Sequence, residues 1–150
     1  MLVKEIMTAN PACCTPETPL REVAQQMVEH DCGEIPVVRS SGDKTLVGVV
    51  TDRDIVCRVI AAGKNPLEST ASACMSNPVI EARESTPVEA CARMMEESQV
   101  RRVPVVDGGG KVCGILSQAD IAKHASRRVV ADLVKDVSEP GAAASKVATH

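Results

Sequence analysis

Residues 48–54 read Gly48-Val49-Val50-Thr51-Asp52-Arg53-Asp54, which is the end of an apolar strand followed by a hydroxyl group and, three residues later, a carboxylate. Residues 114–120 read Gly114-Ile115-Leu116-Ser117-Gln118-Ala119-Asp120 and repeat that order of residue types. Each segment has glycine, two aliphatic residues, serine or threonine, two variable residues and aspartate. One such heptad is weak evidence, but two in a chain of 150 residues indicate an internal duplication.

The duplication extends beyond these two heptads. Pro87 follows Pro19 by 68 residues, and Val103-Pro104-Val105-Val106 follows Ile35-Pro36-Val37-Val38 by the same 68. The second heptad follows the first by 66 residues, so the second hairpin loop is two residues shorter. Both copies also carry an apolar stripe with helical spacing, at Leu20, Val23, Ala24, Met27 and Val28 in the first and at Val88, Cys91, Ala92 and Met95 in the second.

Each copy is therefore predicted to contain, in order, a helix, a strand, a helix, two strands and a helix. In the first copy, the patterns predict helices over residues 1–8, 19–31 and about 52–62, with Cys32-Gly33 ending the second, and strands over 12–15, 35–38 and 46–50. Pro36 cannot donate a ladder hydrogen bond, which favours an edge or irregular position for its strand. One copy alone has too little core for a stable fold, so we expect the two to pack about a pseudo-two-fold axis.

The composition argues against several classes of protein. The net charge is −3 and the basic residues are scattered, which disfavours nucleic-acid binding. No apolar run reaches the ~18 residues that span a bilayer, and the N-terminus lacks a signal-peptide pattern, so we expect a cytoplasmic protein with no membrane association. The chain has no Phe, Tyr or Trp, so any bound base must lie against aliphatic side chains and backbone.

The residues suited to metal binding or catalysis form no recognisable set. The seven cysteines are odd in number and include no C-x-x-C pair, so they indicate neither a disulfide framework nor a zinc site, and they are expected to be reduced and apolar. The histidines have no cysteine or carboxylate at ligand spacing. No Ser/His/Asp or Cys/His set can be assembled, so we expect no enzymatic activity.

The duplicated pattern resembles the CBS-domain (cystathionine-β-synthase domain) pair, also called a Bateman module. The resemblance rests on the segments quoted above together with Met7…Pro11 and Met75…Pro78, and it covers roughly residues 2–135. It implies an α+β (mixed α/β) fold of two βαββα repeats, at residues 1–66 and 67–136, followed by a C-terminal tail at residues 137–150. It also implies a cleft that binds adenosine compounds reversibly, side-by-side homodimers, and a regulatory rather than catalytic role.

The glycines and hydroxyls of the two heptads suit a nucleotide site. Gly48 and Gly114 have no side chain, so their backbones can approach a ligand closely. Thr51 and Ser117 stand at the starts of helices, where free N–H groups and the helix dipole favour an anion such as phosphate. Their hydroxyls can add a further contact to the same phosphate.

The carboxylates of the two heptads have two possible roles. Asp54 and Asp120 lie one turn into their helices, where each can accept two hydrogen bonds from the vicinal hydroxyls of a ribose. The alternative is a capping box, in which the hydroxyl and the carboxylate satisfy the free donors of the helix start. The two roles compete for the carboxylate, and both stay open at this point.

The clearest difference between the copies lies just before the Pro-Val-Val of the second copy. Arg101 and Arg102 stand where the first copy has Gly33 and Glu34. The planar fork of arginine suits phosphate, and the resemblance implies that basic residues here face the phosphates of a nucleotide. We therefore expect the second copy's site to take a phosphorylated nucleotide more readily, and Glu34 to disfavour phosphate at the first copy's site. The alternative for both arginines is a solvated strand edge.

The resemblance also implies which aliphatic residues contact the adenine. As the alternative, the same residues are simply strand residues of the core. They are Cys14, Ile35 and Pro36 in the first copy, and Val79, Ile80, Val103 and Pro104 in the second.

These observations together predict a sensor module that binds an adenosine nucleotide between its two repeats. AMP, ADP or ATP is the favoured regulatory ligand, while NAD and S-adenosylmethionine stay open, and no cofactor is required. Because the repeats occupy almost the whole chain, the output is expected to go to an effector protein of unknown identity. Two alternatives stay open: a constitutive dimeric scaffold with vestigial sites, and a thiol-based redox sensor.

Overall fold

The computed structural model describes residues 1–77 and 80–127. The chain forms a mixed α/β structure, as the sequence predicts. Its strands are β1 (Thr8–Ala9), β2 (Glu34–Ser40), β3 (Asp43–Thr51), β4 (Ala82–Arg83), β5 (Arg102–Val106) and β6 (Val112–Ser117). Its helices are α1 (Leu20–His30), α2, which starts at Asp52–Asp54 and continues as a π-helix over Ile55–Ile60, α3 (Val88–Ser98), and α4, residues 118–127. Short 3-10 turns lie at Val3–Glu5, Pro66–Glu68 and Ala71–Ala73.

The apolar stripes of α1 and α3 form as predicted, with one exception. Leu20, Val23 and Met27 are buried on α1, and Val88, Cys91 and Met95 are buried at the matching places on α3. Val28 is 83% exposed, because it lies beside the stripe rather than on it.

Both long helices end on a left-handed residue that is not glycine. Asp31 (φ 49°) follows α1, and Gln99 (φ 55°) follows α3. α1 therefore ends one to two residues before the expected Cys32-Gly33. Asp31 N–H donates to the Met27 and Val28 carbonyls, so the helix is already closed before Gly33.

The strands form two sheets that repeat the same pairing pattern. β2 and β3 form one antiparallel hairpin, while β1, β6, β5 and β4 lie in that order in the other sheet. Thr8 of β1 pairs with Ile115 of β6, and at the matching offset Ser76 bridges Val49 of β3. The leading segment of each repeat therefore pairs with the hairpin of the other repeat, which gives the pseudo-two-fold arrangement.

The leading segment of each repeat also contributes to the hydrophobic core of the other repeat, and we call this arrangement the exchange. One buried cluster is centred on α1, β2 and β3, yet it includes Ala71 and Cys74 from the second repeat. The other is centred on α3, β5 and β6, yet it includes Val3, which is fully buried. Since each cluster contains residues from both repeats, neither repeat completes its core alone.

Two local expectations differ from the structure, and a third is confirmed. The predicted helix over residues 1–8 is a single 3-10 turn followed by β1, because Val3 and Lys4 donate their N–H groups to the carbonyls of Thr86 and Glu84. The predicted strand over residues 12–15 is one parallel bridge, in which Cys14 N–H donates to the Pro36 carbonyl. Pro36 lies in an edge strand of a two-stranded sheet, whose other side carries the Cys14 bridge, so its expected edge or irregular position is confirmed.

Within residues 1–77 and 80–127, no helix is long and apolar enough to cross a bilayer. The predicted C-terminal tail at residues 137–150 lies outside the described residues, as does Val79.

Candidate functional site

A cavity of about 600 Å³ lies where the two repeats meet, beside the second heptad. One wall comes from the second repeat, namely Arg101, the start of β5, the end of β6 and the first turn of α4. The opposite wall comes from the segment after β1 and from the end of α1. The lining residues are Thr8, Ala9, Asn10, Pro11, Ala12, His30, Asp31, Cys32 and Glu34 on the first repeat's side, and Arg101, Arg102, Ile115, Ser117, Gln118, Ala119 and Asp120 on the second's.

The second heptad forms a capping box at the start of α4. Asp120 N–H donates to Ser117 Oγ over 3.1 Å, and Ser117 N–H donates to Asp120 Oδ2 over 2.9 Å. The carboxylate is therefore turned back onto its own main chain, as the capping alternative expects. Both residues nevertheless line the cavity, and a carboxylate that accepts one hydrogen bond still has lone pairs for a second donor.

The first heptad has the same geometry at the start of α2. Asp54 N–H donates to Thr51 Oγ1, and Thr51 N–H donates to Asp54 Oδ2, each over 3.0 Å. Thr51 and Asp54 do not line the cavity described above. The structure therefore places the two heptads in equivalent local conformations but brings only the second to this opening.

Protein atoms, and not open space, lie next to the two heptad glycines. A methyl group at Gly114 would overlap the Sδ of Met7, which belongs to the first repeat's leading segment. A methyl group at Gly48 would lie 3.1 Å from the Ser76 carbonyl oxygen. The expectation that these glycines admit a ligand is replaced by a packing role, because the exchanged segments cross directly over them.

The two arginines lie together with Glu34 in this cavity. Arg101 and Arg102 both line it, and Arg102 starts β5 directly opposite Ser117 of β6. Among the described residues, neither guanidinium has a side-chain hydrogen bond or an ion pair to a protein group. Glu34, which the sequence analysis assigned to the first copy's site, also lines the same cavity as the arginines.

Glu34 is the buried charged side chain of this wall. It is 6% exposed and its Oε2 has no hydrogen-bond partner. Burial raises the pKa of its carboxyl from 4.5 to about 7, the nearby Arg102 charge lowers that pKa, and the Asp54 charge raises it. The group can therefore change its protonation state near neutral pH.

The aliphatic residues expected around an adenine do not line this cavity. Ile35, Pro36, Val103 and Pro104 are buried within β2 and β5, so the core alternative describes their position. Cys14 is also buried in the first core cluster, while Ile80 is half-buried and packs against the second. The apolar lining comes instead from Ala9, Pro11, Ala12, Ile115 and Ala119.

Sequence reasoning missed most of the first repeat's wall. Thr8 to Ala12 and the end of α1 reach the cavity because β1 pairs with β6, which lies more than a hundred residues later in the chain. The 68-residue offset shows that the segments are equivalent, but it does not say which hairpin each one joins. On the first repeat's side, Glu34 is the lining residue that the sequence analysis singled out, whereas on the second repeat's side it named Arg101, Arg102, Ser117 and Asp120.

The thiols and metal-binding side chains do not form a second site within the described residues. No group of three or more His, Cys, Asp or Glu residues there is placed to hold a metal ion. All seven cysteines are free, and Cys57 is the exposed one. Burial raises the pKa of the thiols of Cys13, Cys14, Cys74, Cys91 and Cys113, that of Cys14 to about 12.

The chain is similar to known proteins over most of its length. Residues 3–60 and 71–127 each match the CBS domain. Hypoxic response protein 1 of Mycobacterium tuberculosis is 36% identical over 142 residues, which are 95% of this chain and 97% of that protein. The crystal structure of Hypoxic Response Protein I with two coordinated zinc ions has a TM-score of 0.73 at 35% identity and covers 83% of this chain and 98% of that one.

Two further solved structures contain adenosine compounds. The CBS domain pair of protein MJ0100, in complex with 5′-methylthioadenosine and S-adenosyl-L-methionine, has a TM-score of 0.76 at 30% identity. It covers 85% of this chain and 98% of its own. CBSX2 of Arabidopsis thaliana, in complex with AMP, has a TM-score of 0.72 at 29% identity and covers 85% of this chain and 97% of its own.

Proposed function

The chain belongs to the CBS-domain family, and we propose that it is a regulatory module that binds a phosphorylated adenosine compound, with AMP as the simplest candidate, in the cavity between its repeats. The observation that carries this proposal is the pair of unpartnered guanidinium groups, Arg101 and Arg102, beside the capped start of α4 in an opening of about 600 Å³. An opening of that volume suits a mononucleotide. Binding of AMP by CBSX2, and of methylthioadenosine and S-adenosylmethionine by MJ0100, supports the adenosine part of the proposal.

Each part of the nucleotide has a chemically matched partner in the cavity. The arginines take the phosphate, since charge-assisted bonds from a planar fork are the strong ones. Ser117 adds its hydroxyl and the first N–H groups of α4 add their dipole. Asp120 keeps its capping bond through Oδ2 and accepts a ribose hydroxyl with its remaining lone pairs. Ala9, Pro11 and Ile115 line the wall against which a base can lie without aromatic stacking.

A ligand bound in this cavity can change how the two repeats pack against each other. The cavity is lined by both repeats, so a ligand that fits one arrangement better shifts the population toward it. We propose that this shift is read by an effector protein, and that the chain acts as a homodimer in doing so. The module itself is proposed to regulate rather than to catalyse.

The proposal is tested by calorimetric titration with AMP. Arg101→Ala/Arg102→Ala removes two charge-assisted contacts, each worth ~1.5–3 kcal/mol, so we expect the affinity to fall at least tenfold. Arg21→Ala, on the exposed side of α1, is the matched control and should leave the affinity unchanged. Equal affinity in wild type and the double variant would refute the phosphate role of the arginines.

A scaffold with vestigial sites makes a different prediction. Ligands that bind only the folded state raise the melting temperature, so a panel of AMP, ADP, ATP, NAD and S-adenosylmethionine separates a sensor from a scaffold. We expect AMP to raise the melting temperature, whereas a flat response to the whole panel would favour the scaffold. The redox alternative gains no support from the thiols, because raised pKa values keep five of the seven in the unreactive thiol form.

A further inference from the structure

Glu34 is an unusual side chain for a site that receives phosphate. It is 6% exposed, it lines the cavity, and its Oε2 has no hydrogen-bond partner. Its strand position pairs with Thr51, so it stands at the edge of the first heptad while its side chain reaches the cavity of the second. An unpartnered carboxyl oxygen in such a place is costly unless it is protonated or paired with a ligand.

The Arg102 guanidinium lies beside the backbone that leads into Glu34. A Cβ on Gly33 would be 3.0 Å from Arg102 Nη1, so the absence of a side chain at residue 33 makes room for this guanidinium. No ion pair within 4 Å joins Glu34 and Arg102 in the part of the chain that the structure describes. Arg102 therefore compensates the Glu34 charge from a distance while its donors remain available to a ligand.

We propose that Glu34 makes this site discriminate between phosphorylated and unphosphorylated adenosine compounds according to its protonation, so that AMP binds with uptake of one proton at Glu34 while adenosine binds without it. The proposal rests on the proposed function, because it assigns the phosphate to Arg101 and Arg102. It adds a specificity residue that the nucleotide need not touch.

The charges around the Glu34 carboxyl determine whether it takes up a proton when AMP binds. In the free protein the Arg102 charge is the favourable neighbour of Glu34 and lowers the pKa of its carboxyl, which burial has raised to about 7. A phosphate on Arg102 neutralises that neighbour and adds negative charge to the same cavity. Both effects favour the neutral carboxyl, so the proton comes from solvent and stays on Glu34 in the complex.

The direction of the pH dependence follows. The affinity for AMP is highest below the pKa of the free carboxyl and falls as the pH rises through about 7 toward the higher pKa of the complex. Adenosine carries no phosphate and leaves Arg102 free, so its affinity does not change in that range. Ionisation of the AMP phosphate has the opposite effect, since the dianion forms as the pH rises through ~6.

Other charged groups face Glu34 from each neighbouring element. They are His30 and Asp31 at the end of α1, Asp52 and Asp54 at the start of α2, Arg101 and Arg102 before and at the start of β5, and Asp120 in α4. Of these, His30 is a basic side chain that lines the same cavity. The experiment must therefore separate His30 from Glu34.

The test is calorimetric titration of AMP and adenosine at pH 6.5 and 8, in two buffers of different ionisation enthalpy, which gives the number of protons taken up. We expect AMP to bind about fivefold more weakly at pH 8 with net proton uptake near pH 7.5, and adenosine to show neither effect. Glu34→Gln should abolish the uptake and the loss of affinity at pH 8, so that only the opposite effect of phosphate ionisation is left. His30→Gln and the matched exposed control Glu29→Gln should retain both the uptake and the loss.

The outcomes separate this proposal from the function on which it rests. If wild type binds no AMP at either pH, the proposed function fails and this proposal fails with it. AMP binding without proton uptake, or uptake that persists in Glu34→Gln or disappears in His30→Gln, overturns only the role of Glu34. The comparison of AMP with adenosine on wild type decides the matter even if Glu34→Gln does not fold.

Discussion

At the scale of single residues, the polar groups of the two heptads satisfy each other locally, whereas Glu34 is a buried carboxyl at the cavity with an unpartnered oxygen. The heptad hydroxyls and carboxylates cap their own helices, with reciprocal bonds of 2.9–3.1 Å at Ser117 and Asp120. Glu34 has no such neighbour for Oε2. A buried carboxyl with a raised pKa also has a consequence for stability that is independent of any ligand.

Glu34→Gln is expected to change how stability depends on pH. The pKa of Glu34 is raised from 4.5 to about 7, so between these values the folded state keeps a proton that the unfolded chain has lost. Wild type therefore loses stability as the pH rises through about 7, by on the order of 3 kcal/mol in total, at about 1.4 kcal/mol per pKa unit. The variant should lack this loss.

Urea denaturation at pH 5 and pH 8 measures this pH-dependent loss of stability. The stability of wild type relative to Glu34→Gln should decrease between the two pH values. Glu29→Gln, whose carboxyl is exposed on α1, is the control and should follow wild type at both. If the free energy of unfolding changes equally in wild type and Glu34→Gln between pH 5 and pH 8, the Glu34 carboxyl is not a buried titrating group.

At the scale of elements, the leading segment of each repeat does more than connect the repeats. Val3 lies in the core cluster built around α3, β5 and β6, and Ala71 takes the matching place in the cluster around α1. β1 adds a strand to the edge of β6, which would otherwise expose unpaired backbone groups. The same crossing brings Met7 over Gly114 and carries Thr8 to Ala12 to the cavity.

Val3→Ala is expected to destabilise the second repeat's sheet although residue 3 belongs to the first repeat. Val3 is fully buried, so loss of two methyl groups should cost about 2 kcal/mol. Hydrogen exchange should increase in β5 and β6 more than in β2 and β3. Val28→Ala is the matched control, and its 83% exposure predicts little change. Equal increases in both hairpins would contradict the assignment of Val3 to one cluster.

At the scale of the whole molecule, the exchange makes two incomplete repeats into one body with the cavity at their junction. The outer surface keeps apolar side chains on the helices of the first repeat. Val56 and Ile60 of α2 are 55% and 53% exposed, and Leu67 in the turn that contacts both α1 and α2 is 70% exposed. This group of side chains is where we expect the homodimer to form, since apolar surface of this kind gains by burial.

The dimer prediction is checked by sedimentation equilibrium. Wild type is expected to be dimeric, and Ile60→Asp should weaken the dimer at least tenfold because it would bury a charge in an apolar contact. Ser41→Asp, in the exposed turn between β2 and β3, is the control and should dimerise like wild type. A monomeric wild type, or an Ile60→Asp variant with unchanged association, would exclude this surface as the interface.

The sequence by itself determined the features that depend on neighbouring residues: the duplication, the buried stripes of α1 and α3, the β2–β3 and β5–β6 hairpins, and the presence of a hydroxyl and a carboxylate at each helix start. These features follow from local periodicity and turn chemistry, and the duplication makes the same pattern visible in both repeats. Helix ends were less certain, because Asp31 and Gln99 take the left-handed conformation that glycine usually supplies.

The packing of the folded chain determines which hairpin each leading segment joins, and this pairing determines which residues line the cavity. Thr8 could pair within its own repeat or with Ile115, and the choice depends on which core Val3 fills. The same choice brought Glu34 to the arginines and buried the aliphatic residues expected around an adenine. Pairings this distant in sequence are selected by the packing of the whole core, which no local pattern records.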